Sequence, residues 1–381
     1  MNIERQKYKA TSLERSTAKN MESFNLTYNA IIFFAAFTAL LLALGIDIKK
    51  YRFSTLGTVL ALSFGVVLLI LFGLRTRDIG TDTVMYYWQY KNYLKVEEDT
   101  DFMMKYVFTG LNQISDKPTL FFFVMALLYL STFLAAFYYY SKTMQVNLFL
   151  LLYSFVSLFF FPAMGINTIR QGVSLGFFAL AFSQYCTEPK KILKKSVVIP
   201  LVLSVGFHLT GLIPIVLFFM VLLFNKVKLH YYYGVYLLTL ILSAFSISIL
   251  SFKDYLGFLS FDERRSGYLD VDKWSQLYSI GFKPQFVAFN SIFLILFIYI
   301  RKFLYSSEEY SQLLKYYLLS SSLFFMVFQL PFSDRWGIMS WVAIPFLLSP
   351  LFKVGGNKRW ASVTVLFLTC IFIFFLSYQN Q

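Results

Sequence analysis

The chain has 381 residues, 58% of them hydrophobic and only 14% charged, with 46 phenylalanines and a net charge of +14. So much apolar surface with so little charge to cover it excludes a soluble domain and indicates a polytopic membrane protein. The surplus cations fit cytoplasmic loops beside anionic headgroups better than nucleic acid. The two cysteines, Cys186 and Cys370, exclude a disulfide framework and zinc-ligand spacing.

Residues 1–27 are expected to form a disordered N-terminal extension carrying Arg5, Lys7, Lys9, Arg15 and Lys19, with Met21 as an alternative start. Residues 28–381 are expected to form a single all-α membrane domain. Charge-free stretches of roughly the 20 residues a span needs run 28–46, 53–74, 118–141, 143–169, 171–187, 196–225, 231–252, 284–300, 316–333, 336–352 and 360–381. They are continuously apolar rather than alternating. Helices are therefore expected and a barrel is not, these being the two ways to satisfy the backbone in lipid. About eleven apolar blocks result, equivalent to 10–12 transmembrane helices. No internal repeat is visible.

Two connections, 75–117 and 253–283, are long, charged and rich in Tyr and Trp. Within the first, Asp82–Lys95 and Phe102–Ile114 read as short amphipathic helices at the membrane interface, the second with Met103, Val107, Leu111 and Ile114 on one face. Lys and Arg concentrate in the short loops near 49–52, 142, 190–195, 226–228, 301–302 and 353–359. Placing these loops inside leaves both long connections, the 162–168 link and the 333–335 link outside. Block 196–225 then has both ends inside. It is too long for one upright helix and too short for two passes, and Pro200, Gly206, Gly211 and Pro214 interrupt it. A re-entrant or broken hairpin with His208 near its tip fits the charges.

Arg75, Arg77, Arg170 and Arg335 all fall at or just inside block ends on the face that the positive-inside rule depletes of cations. An arginine within a span costs about 2.5–3.5 kcal/mol on insertion scales, so the four point to a pocket for an anionic, phosphorylated substrate. In Arg75-Thr-Arg-Asp-Ile-Gly-Thr-Asp82, the arginines are either phosphate ligands or interface anchors, and Asp82 is either a base or a helix cap. Arg170 in Asn167-Thr-Ile-Arg-Gln171 either snorkels to the interface or grips phosphate with its planar fork. His208 either bonds a carbonyl freed at a helix break or acts as general base or phosphate contact. Asp334-Arg335 is either a local ion pair or part of the site. Tyr268 and Trp274 of the second long loop are candidates for stacking on sugar. P-loop, HExxH and GxSxG signatures are absent from the sequence.

Taken in order, Arg77-Asp-Ile-Gly-Thr-Asp82 with Tyr86, Asn167-Thr-Ile-Arg-Gln171, Phe207-His208 and Arg335 before a late span resemble the EpsG family of Wzy-like polysaccharide polymerases. The resemblance implies a membrane glycosyltransferase at the outer face of a bacterial cytoplasmic membrane. Its substrates would be oligosaccharide repeat units on undecaprenyl diphosphate, and no metal or other cofactor is expected. Arg170, Arg335, Arg77 and Arg75 would bind the diphosphate, and Asp82 and His208 would compete for the role of base. Gln171, Tyr86 and Tyr268 would touch substrate or sugar. Asp82, at a helix start beside two arginines, is the favoured base, with a rate expected to be flat from about pH 6 to 8; an imidazole base would give a climbing rate instead. Expected partners are membrane lipids, a flippase and a chain-length regulator, but no nucleic acid. A flippase for the same lipid-linked units is the alternative, although internal repeats common in transporters are missing. A non-catalytic scaffold would leave Arg170 and His208 unexplained.

Overall fold

The computed structural model describes residues 2–45, 55–95, 101–189, 191–249, 251, 280–353 and 359–379, and the described residues contain helices and no strand. Tyr268 and Trp274 lie outside the described residues. The chain divides into two compact units, residues 1–212 with 351–381 and residues 213–350.

The first unit begins with α1 (Asn2–Gly45), whose helical backbone runs through the residues expected to form a disordered extension. Next come α2 (Thr55–Gly73), α3 (Thr83–Lys91), α4 (Phe102–Ile114) and α5 (Pro118–Met144). They are followed by α6 (Leu148–Val156), α7 (Phe160–Ile166), α8 (Ile169–Thr187) and α9 (Lys195–Phe207). α5 opens on Pro118, whose fixed φ suits a first turn and whose missing N–H costs nothing there. It closes at Gln145, which takes the left-handed conformation at φ 54° while Val146 N–H donates to Ser141 O at 3.1 Å. Lateral packing relies on small residues, as is usual where helices associate without a hydrophobic drive between them. Gly176 of α8 lies directly against Thr132 and Phe133 of α5. The aromatic core includes Phe72, Tyr129, Phe133, Phe155 and Phe161, with the Phe133–Phe155 centroids 4.3 Å apart. Tyr129 is wholly enclosed, and its hydroxyl donates to Phe161 O at 3.0 Å.

The block 143–169, expected as one span, is instead two short helices. Asn147 caps α6 by accepting from the N–H groups of Phe149 and Leu150, and α6 and α7 meet at 82°. On α4 the buried side chains are Met104 and Phe108, while Ile114 is exposed. The buried pair lies one position along from the Met103–Val107–Leu111–Ile114 face, whose first three members are half-buried.

The second unit contains α10 (Leu212–Leu223, its first residue belonging to the first unit), α11 (Leu229–Ala244), α12 (Pro284–Tyr299), α13 (Glu308–Met326), α14 (Asp334–Trp341) and α15 (Ile344–Leu348). Its centre is Trp341, which packs on Phe286, Phe289 and Phe324 and donates from Nε1 to Asn290 Oδ1 at 2.6 Å. α16 (Arg359–Gln379) returns to the first unit, where Tyr153 and Thr369 share a 2.8 Å hydroxyl contact.

Among the described residues, five helices are long and apolar enough to cross a membrane, or six if the bent pair counts as one span. This is fewer than the eleven blocks, because several blocks resolve into shorter helices. The segment 196–225 is one of these: it breaks at His208 into α9 and α10, of 13 and 12 residues.

Gly80 sets the start of α3. Its φ of +93° suits glycine, and a Cβ there would collide with Ile166 and Asn167. Gly80→Ala should cost about 1–3 kcal/mol through that strain. Gly110→Ala, placed where nothing lies within 4 Å, should hold or slightly raise stability. Thermal unfolding in detergent compares the two, and equal midpoints would contradict the assignment.

Candidate functional site at the start of α8

Three sequence segments meet around one guanidinium. Arg170 is the second residue of α8, whose N-cap Thr168 makes no side-chain capping bond. The partial positive charge of the helix start therefore adds to that of the arginine. Tyr86 of α3 is buried, and its hydroxyl accepts from Arg170 Nε at 3.2 Å with its ring centre 5.8 Å from the guanidinium carbon. Asp101, just before α4, accepts from Arg170 Nη1 through Oδ2 at 2.7 Å. His208, at the break after α9, places Nδ1 3.1 Å from the same Oδ2, and Leu209 N–H donates to Asp101 Oδ1 at 3.1 Å.

Local sequence accounts for this convergence. Gly206 lets the end of α9 approach α4: an added Cβ would lie 2.8 Å from Met103 Cγ. His208 has an extended backbone (φ −158°, ψ 119°), which turns it out of the helix toward Asp101. Gly80 packs the segment before α3 against Ile166 and Asn167, bringing the Gly-Thr-Asp and Asn-Thr-Ile-Arg-Gln strings together. The expected outer connection, the link before α8 and the tip of the broken segment thus converge in one cluster.

The side chains of Asp101, Arg170 and His208 are 9%, 18% and 24% exposed, so the pair and the imidazole are shielded but reachable. Burial pushes the Asp101 carboxyl up. The His208 hydrogen bond, the His208 and Arg170 charges and the Leu209 N–H outweigh it and hold the group below the ordinary carboxylate range. A carboxyl depressed on folding contributes stability that is complete above its unfolded pKa, about 4, and that is lost as pH falls through the lower folded value. The thermal midpoint gap between wild type and Asp101→Asn should therefore persist from about pH 8 to 5 and shrink below about pH 4. A gap closing near neutrality would contradict the depressed carboxyl.

The other expected residues make contacts of their own. Arg75 is 7% exposed and spends its nitrogens within the fold. Nη1 donates to Phe72 O at 2.7 Å, Nη2 to Ile166 O at 3.2 Å, and Nε faces Thr83 Oγ1 at 3.5 Å; the guanidinium carbon lies 4.4 Å from the centre of the Phe122 ring. It ties the end of α2 to the end of α7. Arg77 is 61% exposed and pairs with Asp78 at 3.7 Å. Asp82 accepts from the Thr81 hydroxyl at 3.2 Å and stands one turn before Tyr86 at the α3 N-cap, without a side-chain capping bond. Gln171 is buried beside Arg170 in sequence. Arg335 belongs to the second unit, its guanidinium carbon 4.7 Å from the centre of the ring of Phe332, a residue with φ of 56°. Near it in sequence, Ser333 Oγ accepts from Lys283 Nζ at 2.8 Å. Burial pushes the Lys283 ammonium down, against an opposing pull from Asp334. Sequence reasoning missed Asp101 and Lys283. Asp101 stands at the end of the acidic run Glu97-Glu98-Asp99-Thr100-Asp101, where only its place before an amphipathic helix distinguishes it.

No curated protein and no solved structure matches the chain. The EpsG family model matches residues 58–380, a stretch that holds Tyr86, Asp101, Arg170 and His208, and the chain belongs to the EpsG family.

Proposed function

We propose that this protein polymerises undecaprenyl-diphosphate-linked oligosaccharide repeat units into exopolysaccharide or capsule at the outer face of a bacterial cytoplasmic membrane. Family membership supports a role in polysaccharide biosynthesis. The observation that carries the finer reading is the convergence of Arg170 and His208 on Asp101 at the ends of three helices, with Tyr86 bonded to Arg170.

The reaction joins the acceptor sugar hydroxyl to the anomeric carbon of the donor unit. A C–O bond forms at that carbon and the bond to the diphosphate oxygen breaks. The electron pair leaves with undecaprenyl diphosphate, and the hydroxyl proton passes to a base. Arg170 at the positive end of α8 stabilises the charge growing on the departing diphosphate. The imidazole of His208, on the same carboxylate as Arg170, is placed to take the proton. A flippase delivering units and a regulator of chain length would work beside the enzyme.

A cluster at helix ends suits a reaction at the membrane surface, whereas transporter sites typically lie near the bilayer midplane between repeats. Deleting the gene and analysing lipid-linked sugars tests the choice. Single repeat units stranded on lipid at the outer face are expected; units stranded inside would favour the flippase.

A further inference from the structure

Asp101 is an aspartate at an N-cap that does not cap. It precedes α4 with φ −51° and ψ 135°, yet its side chain makes no bond to the first turn of its own helix, the usual role of aspartate in that position. Both oxygens are directed across to other elements: Oδ2 to Arg170 Nη1 and His208 Nδ1, Oδ1 to Leu209 N–H. An ionised carboxylate only accepts hydrogen bonds, so the imidazole nitrogen facing it carries the proton, and in the neutral ring the other nitrogen is then bare.

We propose that Asp101 is the positioning residue of the site, fixing His208 as the Nδ1–H tautomer so that bare Nε2 receives the proton of the acceptor hydroxyl, while the same carboxylate oxygen holds Arg170 beside it. The catalytic half of this statement rests on the polymerase reading above; the tautomer half does not. Among the described residues, the charged groups bonded to the imidazole are Asp101 ahead of α4 and, through it, Arg170 of α8, with Tyr86 of α3 behind the guanidinium. One carboxylate thereby sets the spacing between proton acceptor and diphosphate ligand, and fixes which ring nitrogen faces the substrate. A merely structural tie between α4, α8 and α9 would need neither a particular tautomer nor a shared oxygen.

Nitrogen-15 NMR on the full-length protein labelled with ¹⁵N-histidine tests the tautomer directly. The sequence has two histidines, and His230 is exposed on α11, so His230→Gln supplies a background with a single signal. The expected result is protonated Nδ1 and bare Nε2 in that background, reversed or mixed in Asp101→Asn, whose amide can donate to Nδ1. In parallel, lipid-linked repeat units extracted from a strain lacking the gene serve as substrate for the reconstituted protein. Asp101→Asn should lower kcat by about 100-fold or more with KM within about threefold, at unchanged protein level, and Asp101→Glu should recover part of the loss. A protonated Nε2 in the wild-type site, or a tautomer indifferent to Asp101→Asn, overturns the proposal. A loss confined to KM or to protein level makes Asp101 a structural tie and also overturns it. If wild type makes no polymer from these units, the polymerase reading fails while the NMR result still decides the tautomer.

Discussion

Arg170→Lys should nearly abolish polymer while protein level and membrane insertion stay normal. Lysine keeps the charge but loses the planar arrangement that grips two oxygens at once. In this structure it also loses the simultaneous reach of Nε to Tyr86 and Nη1 to Asp101, which fixes the direction of the guanidinium. Removing one preorganised donor from a developing anion costs about 100–1,000-fold in kcat, and a fall of that order is expected here. Because Arg170 is partly exposed and surrounded by polar groups, the substitution should lower the thermal midpoint far less than a truncation in the aromatic core. Polymer yield measured beside membrane protein level distinguishes the two effects. Wild-type yield from Arg170→Lys would make the arginine an interface anchor.

His208→Gln should lose about 100-fold or more in turnover, and Asp82→Asn should lose much less. This reverses the order expected from sequence. Asp82 looked the more dependable carboxylate because it starts a helix beside arginines. In the structure one of those arginines, Arg75, is committed to Phe72 O and Ile166 O, and Asp82 itself bonds Thr81. His208 instead shares Oδ2 of Asp101 with Arg170. Initial rates of both variants on lipid-linked units, followed across pH, separate the candidates. With an imidazole base the wild-type rate climbs with the fraction of neutral ring, provided chemistry limits turnover. A flat profile with inactive Asp82→Asn and active His208→Gln would return the role to Asp82.

Much of the helical scaffold is visible in the amino-acid order, because long apolar runs bounded by charge leave the backbone little choice in lipid. α2, α5 and α12 begin within about two residues of the blocks 53–74, 118–141 and 284–300, and α4 has the expected bounds. Hydropathy alone hides breaks inside an apolar run. Asn147 is the local sign that a new helix begins within 143–169, and nothing apolar in Ser157-Leu158-Phe159 announces the 82° bend. Hydropathy also truncates helices that bury a cation. α13 begins at Glu308, ahead of the block 316–333, because Lys315 lies inside it and donates to Asn225 O at 2.6 Å.

The site shows the same division. Arg170 and His208 are legible as polar residues where an apolar chain should avoid them. Their common partner is not, since Asp101 looks like one more acid on a solvated surface. The sequence shows the charge of Arg75 but not the carbonyls at the ends of α2 and α7 to which it donates.

The central claim is glycosyl transfer between lipid-linked units, and reconstitution tests it most directly. Purified protein in lipid vesicles is given undecaprenyl-diphosphate-linked repeat units, and the lipid-linked products are sized over time. The account predicts a ladder of oligomers spaced by one repeat unit, release of undecaprenyl diphosphate in step with each bond formed, and neither product from Arg170→Lys. Movement of intact units across the bilayer without any ladder would contradict it.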